Sequence, residues 1–171
     1  MKKRGVSIMI GYVLLITVVV IMGAIVYAWL KTYVPKDLSE CPDGTSISLK
    51  DIQYDCANTL SLTLKNNGRF NISGYFIYAT NNSLDELATI DLSPYNPNGE
   101  NGVIIFQGPF GVAPKEPGRE WIDTFNLSIT PSFPGQIYSI EIMAMRYQSE
   151  DNKKRFVSCS KSKIKQEVSC S

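Results

Sequence analysis

Four cysteines, Cys41, Cys56, Cys159 and Cys170, carry the most definite chemistry in this chain. No two of them form a C-x-x-C pair, the tight spacing on which zinc sites usually rest. Oxidation to disulfides is the chemistry that remains, and it needs an oxidising compartment. Four cysteines allow three pairings. Proximity in sequence favours Cys41 with Cys56 and Cys159 with Cys170. Strands adjacent in space would instead allow Cys56 with Cys159. There is no histidine, which removes the commonest general base and the commonest metal ligand. A serine or cysteine nucleophile would then need a lysine. The nearest approach to that arrangement is Ser158, Ser160 and Ser162 around Lys161, in a charged stretch that reads as a solvated tail. The pairs Asp85 with Glu86 and Glu150 with Asp151 read as loop carboxylates, a weak calcium site being the alternative. Gly108 to Gly111 reads as a turn, because it lacks the strand-to-helix setting of a phosphate loop. No catalytic residue, metal site or cofactor is expected, and the chain reads as non-enzymatic.

Other side chains speak of a surface. Three N-x-S/T sequons, at Asn71, Asn81 and Asn126, would accept glycans in an extracellular domain. Lys153, Lys154, Arg155, Lys161, Lys163 and Lys165 make the C-terminal stretch basic. They read as lysines guarding an exposed strand edge, in preference to a patch for an acidic polymer or a neighbouring acidic face. Formal net charge is +1. Lys2, Lys3 and Arg4 precede the first acid, Asp37, and beyond them acids outnumber bases. That balance carries no nucleic-acid footprint, and no nucleic acid is expected as a partner.

The elements that hold these residues fall into two classes. Residues 6–30 read VSIMIGYVLLITVVVIMGAIVYAWL without a charge. A helix of that length, at ~1.5 Å per residue, is long enough to cross a bilayer. In lipid each backbone amide must be bonded internally, so the β-branched run at 17–21 is expected to be helical nonetheless. The basic residues before the run place the N-terminus in the cytoplasm and the remainder outside. Tyr27, Trp29 and Tyr33 fall at the outer end, at headgroup level. Pro35 predicts an end to the helix near Val34. The run is too long, and too bulky at its end, for a cleaved secretory signal.

Strand signals take over after a polar, proline-containing neck at 35–45. Leu60, Leu62 and Leu64 alternate with polar residues. Asn66, Asn67 and Gly68 make a turn signal. Further strands are expected at 75–79, 103–106, 121–130 and 137–145, with weaker ones near 47–49, 87–90 and 155–157. In the 137–145 strand the core face is assigned to Tyr138, Ile140, Ile142 and Ala144. Residues 94–99 and 108–118 read as long loops. Seven to nine short strands of this kind predict a β-sandwich, immunoglobulin-like in plan.

The stretch from Lys3 to Gly11, KRGVSIMIG, resembles the class III signal of archaeal type IV pilins, whose mature chains often begin V-S-P-V-I-G. Val6, Ser7, Ile10 and Gly11 match that pattern, while Ile8 stands in place of proline and Met9 in place of valine. Ile10 occupies the position where bacterial pilins commonly carry glutamate, so the likeness is to the archaeal form. It covers about the first thirty residues. The segment 60–79 is also similar to a strand-turn-strand unit of archaeal pilin heads and extracellular adhesion sandwiches.

The resemblance implies a leader at 1–5, cut between Gly5 and Val6 by a prepilin peptidase. A retained hydrophobic helix follows at 6–34, then the neck, and then a head at 46–171. It implies a helix that leaves the bilayer to form the core of a filament made of copies of this chain or related pilins. Gly11, Gly23, Ala24 and Ala28 would allow close helix approach, Ala24 and Ala28 at small-xxx-small spacing. The expected function is therefore a structural subunit of a type IV pilus-like surface filament, built by separate assembly proteins. It would lie first in the cell membrane and then in the extracellular filament. The other reading open at this point is an uncleaved single-pass anchor that displays an adhesive or ligand-binding sandwich.

Overall fold

The first segment is apolar on every side, and it forms one long helix. The computed structural model describes residues 4–33, 41–109, 111–150 and 153–170. The chain divides into Met1–Leu38 and Ser39–Ser171. In the first unit α1 (Arg4–Tyr33) is 30 residues long. The expected helix end at Val34 and most of the neck lie outside the described residues, as do Lys2 and Lys3. Cys41 to Thr45, assigned to the neck from sequence, belong to the second unit.

The second unit is built almost wholly of strands. In chain order these are β1 (Ile47–Tyr54), β2 (Thr59–Asn66), β3 (Gly74–Thr80), β4 (Ile90–Asp91), β5 (Gly99–Glu100) and β6 (Val103–Ile105). They are followed by β7 (Gln107–Gly108), β8 (Gly111–Val112), β9 (Glu120–Asn126), β10 (Ser139–Glu150), β11 (Lys153–Ser158) and β12 (Ile164–Glu167). One sheet has the order β1-β2-β9. The other runs β11-β10-β3-β6-β5, with β12 added beside β10 and β4 beside β3. All pairings are antiparallel, as expected where connections are short.

Alternation decides which side chains meet between the sheets. Leu60, Leu62 and Leu64 of β2 are fully buried and share one core with Tyr75, Ile77 and Ala79 of β3, Ile104 of β6, Trp121 and Phe125 of β9, and Ile140, Ile142 and Ala144 of β10. The chain is thus mainly β after one N-terminal apolar helix, with two sheets over a common core, a plan compatible with an immunoglobulin-like sandwich. Tyr138 departs from expectation and is 43% exposed, whereas Ile137 beside it is 3% exposed. The backbone N–H of Ile137 donates to the buried Tyr54 hydroxyl at 3.1 Å, which turns Ile137 inward before the regular alternation of β10 begins.

The turn at Asn66 carries the chain from one sheet to the other. Asn66 is fully buried. Its Oδ1 accepts from the Gly68 N–H at 2.9 Å, and its Nδ2 donates to the carbonyls of Phe70 and Lys115, each at 2.9 Å. Gly68 is required there, since a Cβ would lie 2.6 Å from the Gly44 carbonyl oxygen and the Ser46 nitrogen. Other boundaries moved as well. The strand expected at 121–130 stops at Asn126, where the side chain bonds forward to Ser128. The strand expected at 87–90 shrinks to β4. The loop at 108–118 contains the small β7–β8 ladder. The C-terminal stretch read as a solvated tail instead supplies a short 3-10 turn, Ser160–Ser162, and β12.

Candidate functional site

Met9–Thr32 of α1, 24 residues, is long and apolar enough to cross a membrane, and none of its hydrophobic stretch is buried in the chain's own fold. At ~1.5 Å per residue this stretch covers about 36 Å, against a hydrocarbon thickness of ~30 Å. Its two threonine hydroxyls are satisfied internally. The Thr17 hydroxyl donates to the Leu14 carbonyl and the Thr32 hydroxyl to the Ala28 carbonyl, each at 2.9 Å. In hydrocarbon an unbonded hydroxyl would cost several kcal/mol. Among the described residues, and apart from the helix's own backbone, nothing lies within 4 Å of a Cβ placed on Gly11 or Gly23, so both positions leave open surface. Ala24 and Ala28, four residues apart, lie on one helix face. Gly5 and Val6 both fall within the first turns of α1.

The head holds its ends by two disulfides, but with neither local pairing. Cys41 is joined to Cys159 and Cys56 to Cys170. The Cα–Cα separations are 5.0 and 5.3 Å, within the usual range for a bridge. The expected Cys41–Cys56 and Cys159–Cys170 bridges are thereby replaced, and so is the Cys56–Cys159 alternative. The reason is topological. Cys56 sits in the β1–β2 turn, and Cys41 precedes β1, so the length of β1 separates them. Cys159 follows β11, whereas Cys170 follows β12, which pairs with the opposite end of β10. Each bridge therefore spans more than a hundred residues and ties the start of the head to its end.

One polar cluster crosses the core. Asp123, on the inward face of β9 between Trp121 and Phe125, accepts from the Tyr75 hydroxyl at 2.6 Å and from the Trp121 indole N–H at 3.0 Å. Burial raises the Asp123 carboxyl above its ordinary value, against the opposing pull of its two hydrogen bonds and of Lys115. Burial, then the Asp123 charge, raises the Tyr75 phenol well above its ordinary value. The cluster links the two sheets, and an inward charge on β9, an edge strand, also discourages pairing with another chain. Sequence alternation missed it because Asp123 interrupts the apolar face that Trp121 and Phe125 define.

The remaining chemistry-bearing residues are dispersed. Asn71, Asn81 and Asn126 are exposed. The Asn81 Nδ2 donates to the Pro134 carbonyl at 2.7 Å, and the Asn126 Oδ1 accepts from the Ser128 hydroxyl at 2.6 Å. Lys163 pairs with the largely buried Glu141 at 3.0 Å. Lys165 donates to the Glu86 carbonyl. The Ser162 hydroxyl donates to the Cys159 carbonyl. The basic C-terminal residues therefore work partly as tethers for β12. Among the described residues no three of His, Cys, Asp and Glu gather in a metal-holding group. No family model, curated protein or solved structure matches this chain.

Proposed function

We propose that this chain is a structural subunit of a type IV pilus-like surface filament. A prepilin peptidase hydrolyses the Gly5–Val6 peptide bond on the cytoplasmic side of the membrane. The apolar helix then leaves the bilayer to pack with copies of itself or related pilins, while the β head faces the outside. Separate assembly proteins supply the energy. The chain itself uses no cofactor and performs no catalysis.

One observation carries this reading: a helix apolar on all sides, its hydrophobic stretch unburied among the described residues, begins directly at the Arg4-Gly5-Val6-Ser7 junction. Such a surface needs either lipid or other helices. The disulfide-tied head supports placement in an oxidising exterior.

The test is the mature N-terminus. Mass spectrometry of protein from its native membranes is expected to find a chain beginning at Val6, and negative-stain microscopy to find filaments containing it. Gly5→Trp is expected to leave the leader attached and to abolish filaments. Full-length protein alone, in cells with active prepilin peptidase, would favour the permanent anchor displaying an adhesive or binding module.

A further inference from the structure

The chain from the apolar helix enters the head at Cys41, with residues 34–40 intervening. Segment 41–46 is held against the loop that follows β2. The N–H of Asn67 and of Gly68 donate to the Ser46 carbonyl at 3.0 and 3.1 Å, and the Arg69 N–H donates to the Gly44 carbonyl at 2.8 Å. Asn66 brings a further loop to the same end, because its N–H donates to the Arg119 carbonyl at 2.9 Å and its side chain holds the Lys115 carbonyl. The Arg146 guanidinium lies over the Phe70 ring, 4.7 Å from its centroid. Arg69 and Arg119 thus lie on segments whose backbones are hydrogen-bonded together at the end where the chain enters the head, and Arg146 packs on Phe70 of the same loop as Arg69.

None of the three forms an ion pair among the described residues. Arg69 and Arg119 are exposed. The Arg146 Nε and Nη1 are buried without an acceptor. Segments 41–46, 67–73 and 113–119 contain two acids, Asp43 and Glu116. Asp43 is already paired with Lys161 at 3.6 Å. The Lys115 ammonium sits over Phe106 and within the field of Asp123. Glu116 offsets one positive charge, and the excess that remains at this end is carried by arginine, whose planar fork matches a phosphate in a way that lysine does not. Guanidinium groups beside a half-buried aromatic ring also suit the boundary between water and lipid.

We infer that this end of the head is a phosphate-binding surface that rests on the anionic headgroups of the membrane in which α1 is held. The inference rests on the reading of α1 as a membrane helix and is independent of filament formation. Before extraction, the contact would hold the head down on the bilayer; afterwards the same arginines are free of lipid. Each arginine is expected to add about fivefold to the occupancy of an anionic surface at moderate ionic strength.

Full-length protein in nanodiscs tests it. Hydrogen exchange is followed in peptides covering 66–72 and 113–119, with 59–64 of β2 as internal control. Discs containing phosphatidylglycerol are expected to slow exchange in the two loops relative to phosphatidylcholine discs, leaving the control unchanged. Salt at about 0.5 M, which shrinks the screening length to a few ångströms, is expected to remove the difference. So is the double variant R69Q/R119Q, whose two side chains are exposed and whose loss leaves the core intact. Equal exchange in both discs, or protection that survives in the double variant, overturns the headgroup contact while leaving the membrane helix standing. Protection in phosphatidylcholine discs on adding inorganic phosphate would assign the site to a free anion and overturn it likewise. Failure of the chain to remain with discs at all would overturn the membrane reading, and this inference with it.

Discussion

Asp123 is one residue through which the head's stability becomes sensitive to pH. Its carboxyl is raised above the ordinary value of 3.8 because burial outweighs the hydrogen bonds from Tyr75 and Trp121 and the field of Lys115. The folded protein therefore binds this proton more tightly than the unfolded chain does. Its contribution is fully present below 3.8 and is lost as the pH rises through the raised folded value. Asp123→Asn removes the titration, so the difference in melting temperature, variant minus parent, is expected to grow from pH 3.5 to neutrality, an interval of about 3.5 units set by the ordinary carboxyl range. Parallel melting curves across that interval would sink the assignment. Tyr75→Phe leaves the carboxylate with one donor fewer in the core and is expected to cost about 1–3 kcal/mol. The sequons differ at the same scale. The Asn81 nitrogen that would carry a glycan is engaged by the Pro134 carbonyl, whereas the Asn126 nitrogen has no hydrogen-bond acceptor among the described residues while Oδ1 binds Ser128. Glycopeptide analysis of natively produced protein is expected to find more modification at Asn126 than at Asn81, and the reverse order would refute this ranking.

At the scale of elements, legibility followed the locality of the interaction. The period-two leucines of β2 were readable because burial of one sheet face is a local pattern, and Leu60, Leu62 and Leu64 are all fully buried. Leu62→Ala is accordingly expected to cost about 2–5 kcal/mol, read as a lowered denaturant midpoint. β1 was longer than its sequence suggested, because as an edge strand it tolerates Lys50, Asp51 and Gln53 on its outward side and carries a bulge between Leu49 and Asp51. β12 was hidden in a lysine-rich stretch, since its place comes from pairing with β10 and from the Lys165 and Cys170 tethers. The disulfides were the least legible feature. Both bridges join residues more than a hundred positions apart, and nothing local to a cysteine encodes which strand end will lie beside it. Non-reducing peptide mapping is expected to recover Cys41 linked to Cys159 and Cys56 linked to Cys170. A peptide joining Cys41 to Cys56 would contradict the strand order itself. Cys56→Ser together with Cys170→Ser is expected to cost about 2–4 kcal/mol, since the bridge closes a long loop.

At the scale of the whole molecule an apolar helix and a β head with a core of its own are separate units. Among the described residues each buried hydrophobic residue of the core lies between Ile47 and Cys159, and none of them belongs to α1. Both disulfides are likewise internal to the second unit. The helix contributes the opposite property, a long run of large side chains such as Leu14, Val19, Ile21 and Ile25, each more than half exposed. A chain beginning at Ser39, produced in an oxidising compartment, is therefore expected to be soluble, monomeric and β-rich, and to melt cooperatively. The full-length chain is expected to require detergent or lipid. Circular dichroism and sedimentation of the two forms check both halves of the expectation. A helical spectrum from the shortened chain would overturn the two-sheet fold. Filaments formed by that chain would show that the helix is not their core, and its aggregation under conditions that keep both disulfides formed would mean that the head depends on α1 for burial after all. If it stays monomeric while the cleaved full chain assembles, the energy of assembly lies in transferring the apolar helix from lipid to its neighbours. The head is then left to set what the outer surface presents.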